Sequence, residues 1–273
     1  MQSKRTIALG LGVLCLLAPA GVRAAEVVPP PGRGAIVIEL FTSQGCSSCP
    51  GADEVVSRLG LDERTRGLVI PLAFHVDYWN QIGWTDPFSA YGWTLRQGAY
   101  CRALQVDDGP YTPQLVVDGR SELNAAQERR VLGQISSALE RPALARVSLR
   151  AREAEAGKPG LLLAIGAEID EGVDARKLEL LVAVYENGLV TSVTRGENGG
   201  RSLRNDFVVR RLESAFTLEP RKEKHKQREL RLKLDRDWKR ENLGVAAFLQ
   251  DPVSMRIYAA SSLPPAAAEA RSE

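Results

Sequence analysis

An apolar run, Ala35-Ile-Val-Ile-Glu-Leu-Phe41, gives way to Gly45-Cys-Ser-Ser-Cys-Pro50, and Val55, Val56 and Leu59 follow at helical spacing. A buried strand therefore hands over to a helix across two cysteines, which commits the start of the chain to an α/β arrangement. The junction also carries chemistry. A thiolate in the first turn of a helix meets free backbone N–H groups and the positive end of the helix dipole, and both lower its pKa. Cys46 is then the attacking sulfur and Cys49 the resolving one. The same spacing also serves structural zinc sites and structural disulfides. Zinc needs two further ligands, and beyond this pair the exported chain offers Cys101, His75, His225 and carboxylates, with no second close pair.

The N-terminus reads as a secretory signal: Lys4 and Arg5, an apolar stretch from Ile7 to Ala20, then Val22-Arg-Ala-Ala25 with small residues for cleavage. Residues 1–24 are expected to be removed, Cys15 with them, leaving a periplasmic or secreted protein with no stable membrane insertion. The 36 basic and 34 acidic side chains become nearly balanced once Lys4, Arg5 and Arg23 are lost. Such a balance does not favour nucleic acid or an anionic membrane as partner. Cys46, Cys49 and Cys101 alone cannot make a disulfide-scaffolded fold.

A proline- and glycine-rich leader occupies 25–34. The order then expected is strand 35–42, helix 48–60, strand 68–76, helix 87–104, strand 114–118, a turn at Asp118-Gly119, a short return strand and a helix over 125–140. This describes an α/β domain over 35–142, a mixed sheet covered on both faces. After Pro142 only strands are expected: Val147/Leu149, Leu161–Ile169, Leu178/Leu180/Val182/Val184, Leu230/Leu232/Leu234, Val245–Leu249 and Met255–Ala260. Short alternating runs between turn residues point to an antiparallel β-sandwich domain over 145–262, followed by a disordered tail over 263–273.

Tyr111-Thr-Pro-Gln-Leu-Val-Val-Asp-Gly119 sets a proline at the mouth of a buried strand. Together with Gly45–Cys49, this resembles the thioredoxin superfamily over residues 35–140. The resemblance implies a thioredoxin-like α/β domain in which Thr112-Pro113 is a cis pair beside the dithiol and residue 112 holds an extended substrate against Cys46. It also puts Glu39 near the place of a buried acid that moves protons for the second cysteine. More narrowly, Glu39–Pro50, Phe74-His-Val-Asp-Tyr-Trp-Asn80, Gly83-Trp-Thr-Asp86, Arg96-Gln97, Tyr111–Gly119 and Gly196-Glu-Asn-Gly-Gly-Arg201 look like the secreted bacterial family called domain of unknown function 1223. That family implies the fold and leaves activity unassigned.

An aromatic-rich insert at about 77–104 separates the second strand from Pro113. Within it Trp79 and Trp84, with Tyr111 beyond, are expected to roof the dithiol and shape a substrate groove; filling the core is the competing use of such residues. His75 reads as a core histidine, a base for the dithiol or a metal ligand. Cys101 reads as a small buried hydrophobe, and the basic run Arg221–Arg240 as the solvated face of a strand. The expected function is an exported thiol–disulfide oxidoreductase acting on protein or small-molecule thiols and disulfides, with no cofactor beyond its redox-active disulfide. Its rivals are a Cu(I)-binding protein using Cys46, Cys49 and His75, and a non-enzymatic binding module with a structural disulfide.

Overall fold

The computed structural model describes residues 34–154 and 160–265; the expected signal, all but Gly34 of the leader, and the tail beyond Pro265 lie outside the described residues. The first half follows the expected order with small shifts at the ends: β1 (Ile36–Thr42), α1 (Cys49–Leu61), β2 (Val69–His75), α2 (Tyr91–Leu104), β3 (Gln114–Val117), β4 (Ser121–Asn124) and α3 (Glu128–Leu139). β1 pairs parallel with β2 and antiparallel with β3, and β3 turns back into β4. Asp118 and Gly119 have φ of 49° and 61°, the positive values a tight hairpin turn demands. Glycine is required at 119 because a Cβ there would sit 1.8 Å from the Met255 carbonyl oxygen.

The second half consists of β5 (Ala145–Glu153), β6 (Gly160–Ile169), β7 (Leu178–Glu186), β8 (Leu189–Ser192), β9 (Ser202–Asn205), β10 (Val208–Leu218), β11 (His225–Lys233), β12 (Leu243–Gln250) and β13 (Ile257–Leu263). It does not build the separate antiparallel sandwich expected from the sequence. Four of its strands extend the sheet of the first half, giving one mixed eight-stranded sheet in the order β13-β12-β7-β10-β2-β1-β3-β4. The seam lies between β2 and β10, which run parallel with Val208 opposite Ala73, and the Ala73 N–H donates to the Phe207 carbonyl at 2.8 Å. The chain is thus a predominantly β protein with three α-helices among the described residues, not a thioredoxin-like α/β domain with an appended sandwich.

Burial explains the outcome. Leu178, Leu180, Val182 and Val184 of β7 face a core closed by a three-stranded sheet, β11-β6-β5. The intervening Leu181, Ala183 and Tyr185, which the alternation pattern leaves to solvent, are buried against Phe74, Tyr100 and Phe207. β12 is buried along its whole length in the same two-sided way. Strands covered on both faces belong inside a sheet, and that sheet is the one β1 begins.

The faces of β1 sort the helices. Ile36, Ile38 and Leu40 pack on α1 and α3 through Ala52, Val56, Val131 and Ile135. Val37 and Phe41 face the opposite layer, with Tyr100 of α2. No helix among the described residues is long and apolar enough to cross a membrane.

Candidate active site around the Cys46–Cys49 disulfide

β1 ends at Thr42, residues 43–48 form a tight loop, and α1 starts at Cys49 with Pro50 in its first turn. Proline suits that position because its missing N–H has no partner in a helix start. Cys46 and Cys49 are joined as a disulfide. Both are covered, at 1 % and 0 % exposure, while Ser47 and Ser48 between them are open to solvent. No acidic residue lies in the first turn of α1.

Three segments converge on this loop. The first is Tyr111–Pro113, where the Thr112–Pro113 peptide is cis and the Thr112 carbonyl oxygen lies 3.9 Å from Cys46 Sγ. The second is the aromatic insert: the Trp79 indole N–H donates to Thr112 Oγ1 at 2.8 Å, and that of Trp84 to Gln44 Oε1 at 3.2 Å. The third is the Gly196–Arg201 loop, which arrives from the other half of the chain. Buried Asn198 donates from Nδ2 to the carbonyls of Gln44 and Cys46, each at 2.9 Å, and Glu197 Oε2 accepts the Ser47 N–H at 2.9 Å. Tyr111 turns to the β3–β4 hairpin instead, its hydroxyl donating to Glu122 at 2.6 Å.

Gln44, two residues before Cys46, ties the loop to a buried polar nest. His75 Nδ1 is 2.7 Å from Asp86 Oδ2, which also accepts the Gln44 N–H at 2.8 Å. Gln44 Nε2 donates to Asn205 Oδ1, and Asn205 Nδ2 reaches Asp53 Oδ2 at 3.4 Å. Burial pushes the Asp53 carboxyl up to about 6, against the pull of His75. Burial also works against charge on His75, yet the Asp86 carboxylate holds the imidazolium above its usual range. In turn, and against its own burial, Asp86 stays below the ordinary carboxylate range beside His75.

Asp53 sets a pH test. Its folded pKa of about 6 exceeds the reference 3.8, so between those values the native state holds the extra proton. Stability from this group is present below about 4 and lost as pH rises through 6. Asp53→Asn is expected to stabilise the oxidised protein by about 3 kcal/mol at pH 7.5 and by almost nothing near pH 4, from about two pKa units at 1.4 kcal/mol each. Urea unfolding at both pH values reads the difference; an equal effect at both would contradict the assignment.

Other residues singled out by the sequence sit differently. Glu39 shares the face of Val37 and Phe41 and points away from α1; Arg96 Nε donates to it at 2.8 Å, and the Tyr100 hydroxyl also donates to it. Sequence reasoning placed the acid one residue off the dithiol face, and its expected proton-transfer role at Cys49 has no geometric basis. His75 is committed to Asp86, and no group of three or more His, Cys, Asp or Glu among the described residues is placed to hold a metal ion. Cys46 and Cys49 are bonded to one another here, so with His75 on Asp86 the three residues are not arranged as a ligand set in this oxidised form. Cys101 is a buried free thiol, kept above its usual pKa chiefly by desolvation, 3.8 Å from Gln114 Oε1. Asp53, Asp86 and Asn198 went unassigned in the sequence. Asp53 falls four residues after Cys49 and so on the same side of α1, while Asp86 and Asn198 lie inside the motif strings Gly83–Asp86 and Gly196–Arg201, which carried no role for either.

A model of the family described as protein of unknown function, DUF1223, matches residues 37–250. An X-ray crystal structure of a protein from Agrobacterium tumefaciens is similar, with a TM-score of 0.61 and 28% sequence identity over 84% of this chain and 94% of that one. HBP35 of Porphyromonas gingivalis shares the fold at a TM-score of 0.63 and 18% identity, with 85% and 75% of the two chains covered. No curated protein matches.

Proposed function

The chain belongs to the DUF1223 family, and on the geometry of its own site we propose that it is an exported thiol–disulfide oxidoreductase working through Cys46 and Cys49. The observation that carries this reading is a disulfide at a strand–helix junction with a buried, near-neutral carboxyl, Asp53, one helical turn below Cys49. A buried carboxyl that costs stability at neutral pH is a group suited to proton transfer. The signal-like N-terminus, outside the described residues, supports export to a compartment where a disulfide persists.

In the reducing direction, the Cys46 thiolate attacks one sulfur of a substrate disulfide. The substrate S–S bond breaks, a Cys46–substrate disulfide forms, and the other substrate sulfur leaves as a thiolate that takes a proton. Cys49 gives its proton to Asp53 and attacks Cys46 Sγ, re-forming the 46–49 disulfide and expelling the second substrate sulfur as a thiolate, which takes a proton from water as Asp53 returns its own to water. Two electrons and two protons pass to the substrate, and an external dithiol reductant reloads the pair.

Reduction of insulin disulfides by the purified protein, driven by dithiothreitol, tests the reading. Turnover well above the dithiothreitol background supports it. Inertness toward insulin and toward small disulfides such as oxidised glutathione sinks it.

A further inference from the structure

Glu197 reaches the dithiol loop from 150 residues away and bonds the backbone N–H of Ser47, the residue that directly follows Cys46. Its carboxyl is fully exposed, and the Ser47 bond holds it below the usual range, so it is charged at neutral pH. Its position is imposed by its neighbour: Asn198 is wholly buried and fixed by bonds to two carbonyls of the loop, with Arg201 donating to Asn198 Oδ1 at 2.7 Å. Gly196 and Gly200, at φ of 75° and 83°, allow the tight loop that presents it.

A thiolate at Cys46 draws stability from free N–H groups at the start of α1. Glu197 opposes this twice, by occupying the Ser47 N–H and by holding a negative charge beside the developing thiolate. The other charged groups around the loop do not cancel it. Asp53 of α1, His75 of β2 and Asp86 of the insert form a buried nest tied to the loop through Gln44, in which His75 and Asp86 pair with one another. In the loop itself, Arg201 is taken by Asn198 and Arg195 is exposed.

We propose that Glu197 is a positioning residue that holds the Cys46 thiol in its protonated form and so biases the pair toward donating electrons to a substrate disulfide. The less the reduced form is stabilised as thiolate, the lower the reduction potential of the couple. The direction of exchange rests on the oxidoreductase reading; the effect on Cys46 acidity does not.

The test is Glu197→Gln, which keeps an acceptor for the Ser47 N–H and removes the charge. It is made in a Cys49→Ser background, with iodoacetamide alkylation of Cys46 followed against pH and the modified site mapped by mass spectrometry. The Cys46 pKa is expected to fall by about 0.5–1 unit, an exposed charge being partly screened, and the gap to close in 1 M salt. With both cysteines present, equilibrium with glutathione should shift about three- to tenfold toward the dithiol, or roughly 15–30 mV at 29.6 mV per tenfold. Glu197→Ala, which also frees the N–H, should shift both further. Glu197 is on the surface, so neither variant empties a core. An unchanged or higher Cys46 pKa in Glu197→Gln overturns the proposal. Alkylation needs no turnover, so a shifted pKa in an inert protein would sink the oxidoreductase reading alone.

Discussion

Cys49→Ser protein is expected to accumulate a covalent mixed disulfide with its substrate, while Cys46→Ser forms none and loses disulfide turnover by a factor on the order of 10³ or more, as when any obligatory nucleophile is removed. The asymmetry follows from position. Cys46 lies in the loop beside the Thr112 carbonyl, where the residue that follows it is open to solvent, whereas Cys49 is the first residue of α1, one helical turn before the buried Asp53. Without Cys49 the first exchange proceeds and the second cannot, so the intermediate survives acid quenching. Non-reducing electrophoresis of both variants after incubation with reduced or oxidised insulin reads the result. Trapping by Cys46→Ser with release by Cys49→Ser would reverse the assignment of roles. Cys101→Ala should leave either pattern intact, because that thiol is buried against Gln114.

Glu39→Gln is expected to cost about 3–5 kcal/mol of stability, the usual penalty for breaking one side of a buried ion pair. Arg96 is stranded by the change. Its guanidinium lies over the rings of Phe74, Tyr100 and Phe248 at 5.2–5.6 Å, and its remaining polar partners are Tyr100 and Gln250. The Gln250 amide also donates to the Tyr100 hydroxyl at 2.8 Å and to the Met255 carbonyl at 2.7 Å, so the network spans β1, α2 and the β12–β13 hairpin. The loss should therefore appear as one cooperative transition of the whole chain. Denaturation followed by tryptophan fluorescence and by far-ultraviolet circular dichroism should give coincident curves. Two separated transitions, or a loss under about 1 kcal/mol, would contradict the single-sheet account. The double variant Glu39→Leu, Arg96→Met should recover much of the loss, because an apolar pair leaves no buried charge.

The first half of the fold was legible because its strands and helices carry unbroken apolar periods, and because Gly-Cys-Ser-Ser-Cys-Pro and Thr-Pro mark their own positions. The architecture of the second half was not, and one strand accounts for most of that. β10 joins the two halves, yet register shifts between Val209 and Arg211 and between Ser214 and Phe216 break its alternation, and Arg210, Arg211 and Glu213 interrupt its apolar run. With β10 unseen, β7 and β12 looked like strands of an independent sandwich. Their second face, Leu181, Ala183, Tyr185, Ala246 and Phe248, is apolar and was the available warning.

The site divides in the same way. Cys46, Cys49, Thr112 and Pro113 could be placed from local sequence. The indole N–H groups of Trp79 and Trp84 bond Thr112 and Gln44, respectively. Asn198 and Glu197 could not be placed, since their contacts lie 150 or more residues away and no periodicity encodes such a meeting. Glu39 shows the cost of a single step along a strand, which carries a side chain from one face of the sheet to the other.

Redox titration of the 46–49 pair in glutathione and dithiothreitol buffers tests the central claim most directly. The sulfurs are almost fully covered, so the measurement asks whether that cover opens to exchange. The account predicts prompt, reversible two-electron behaviour with a midpoint above about −300 mV, in the range of pairs that exchange with cellular thiols. A disulfide that stays closed in millimolar thiol, with a potential below that value, would be a structural bond, and the oxidoreductase reading would be wrong.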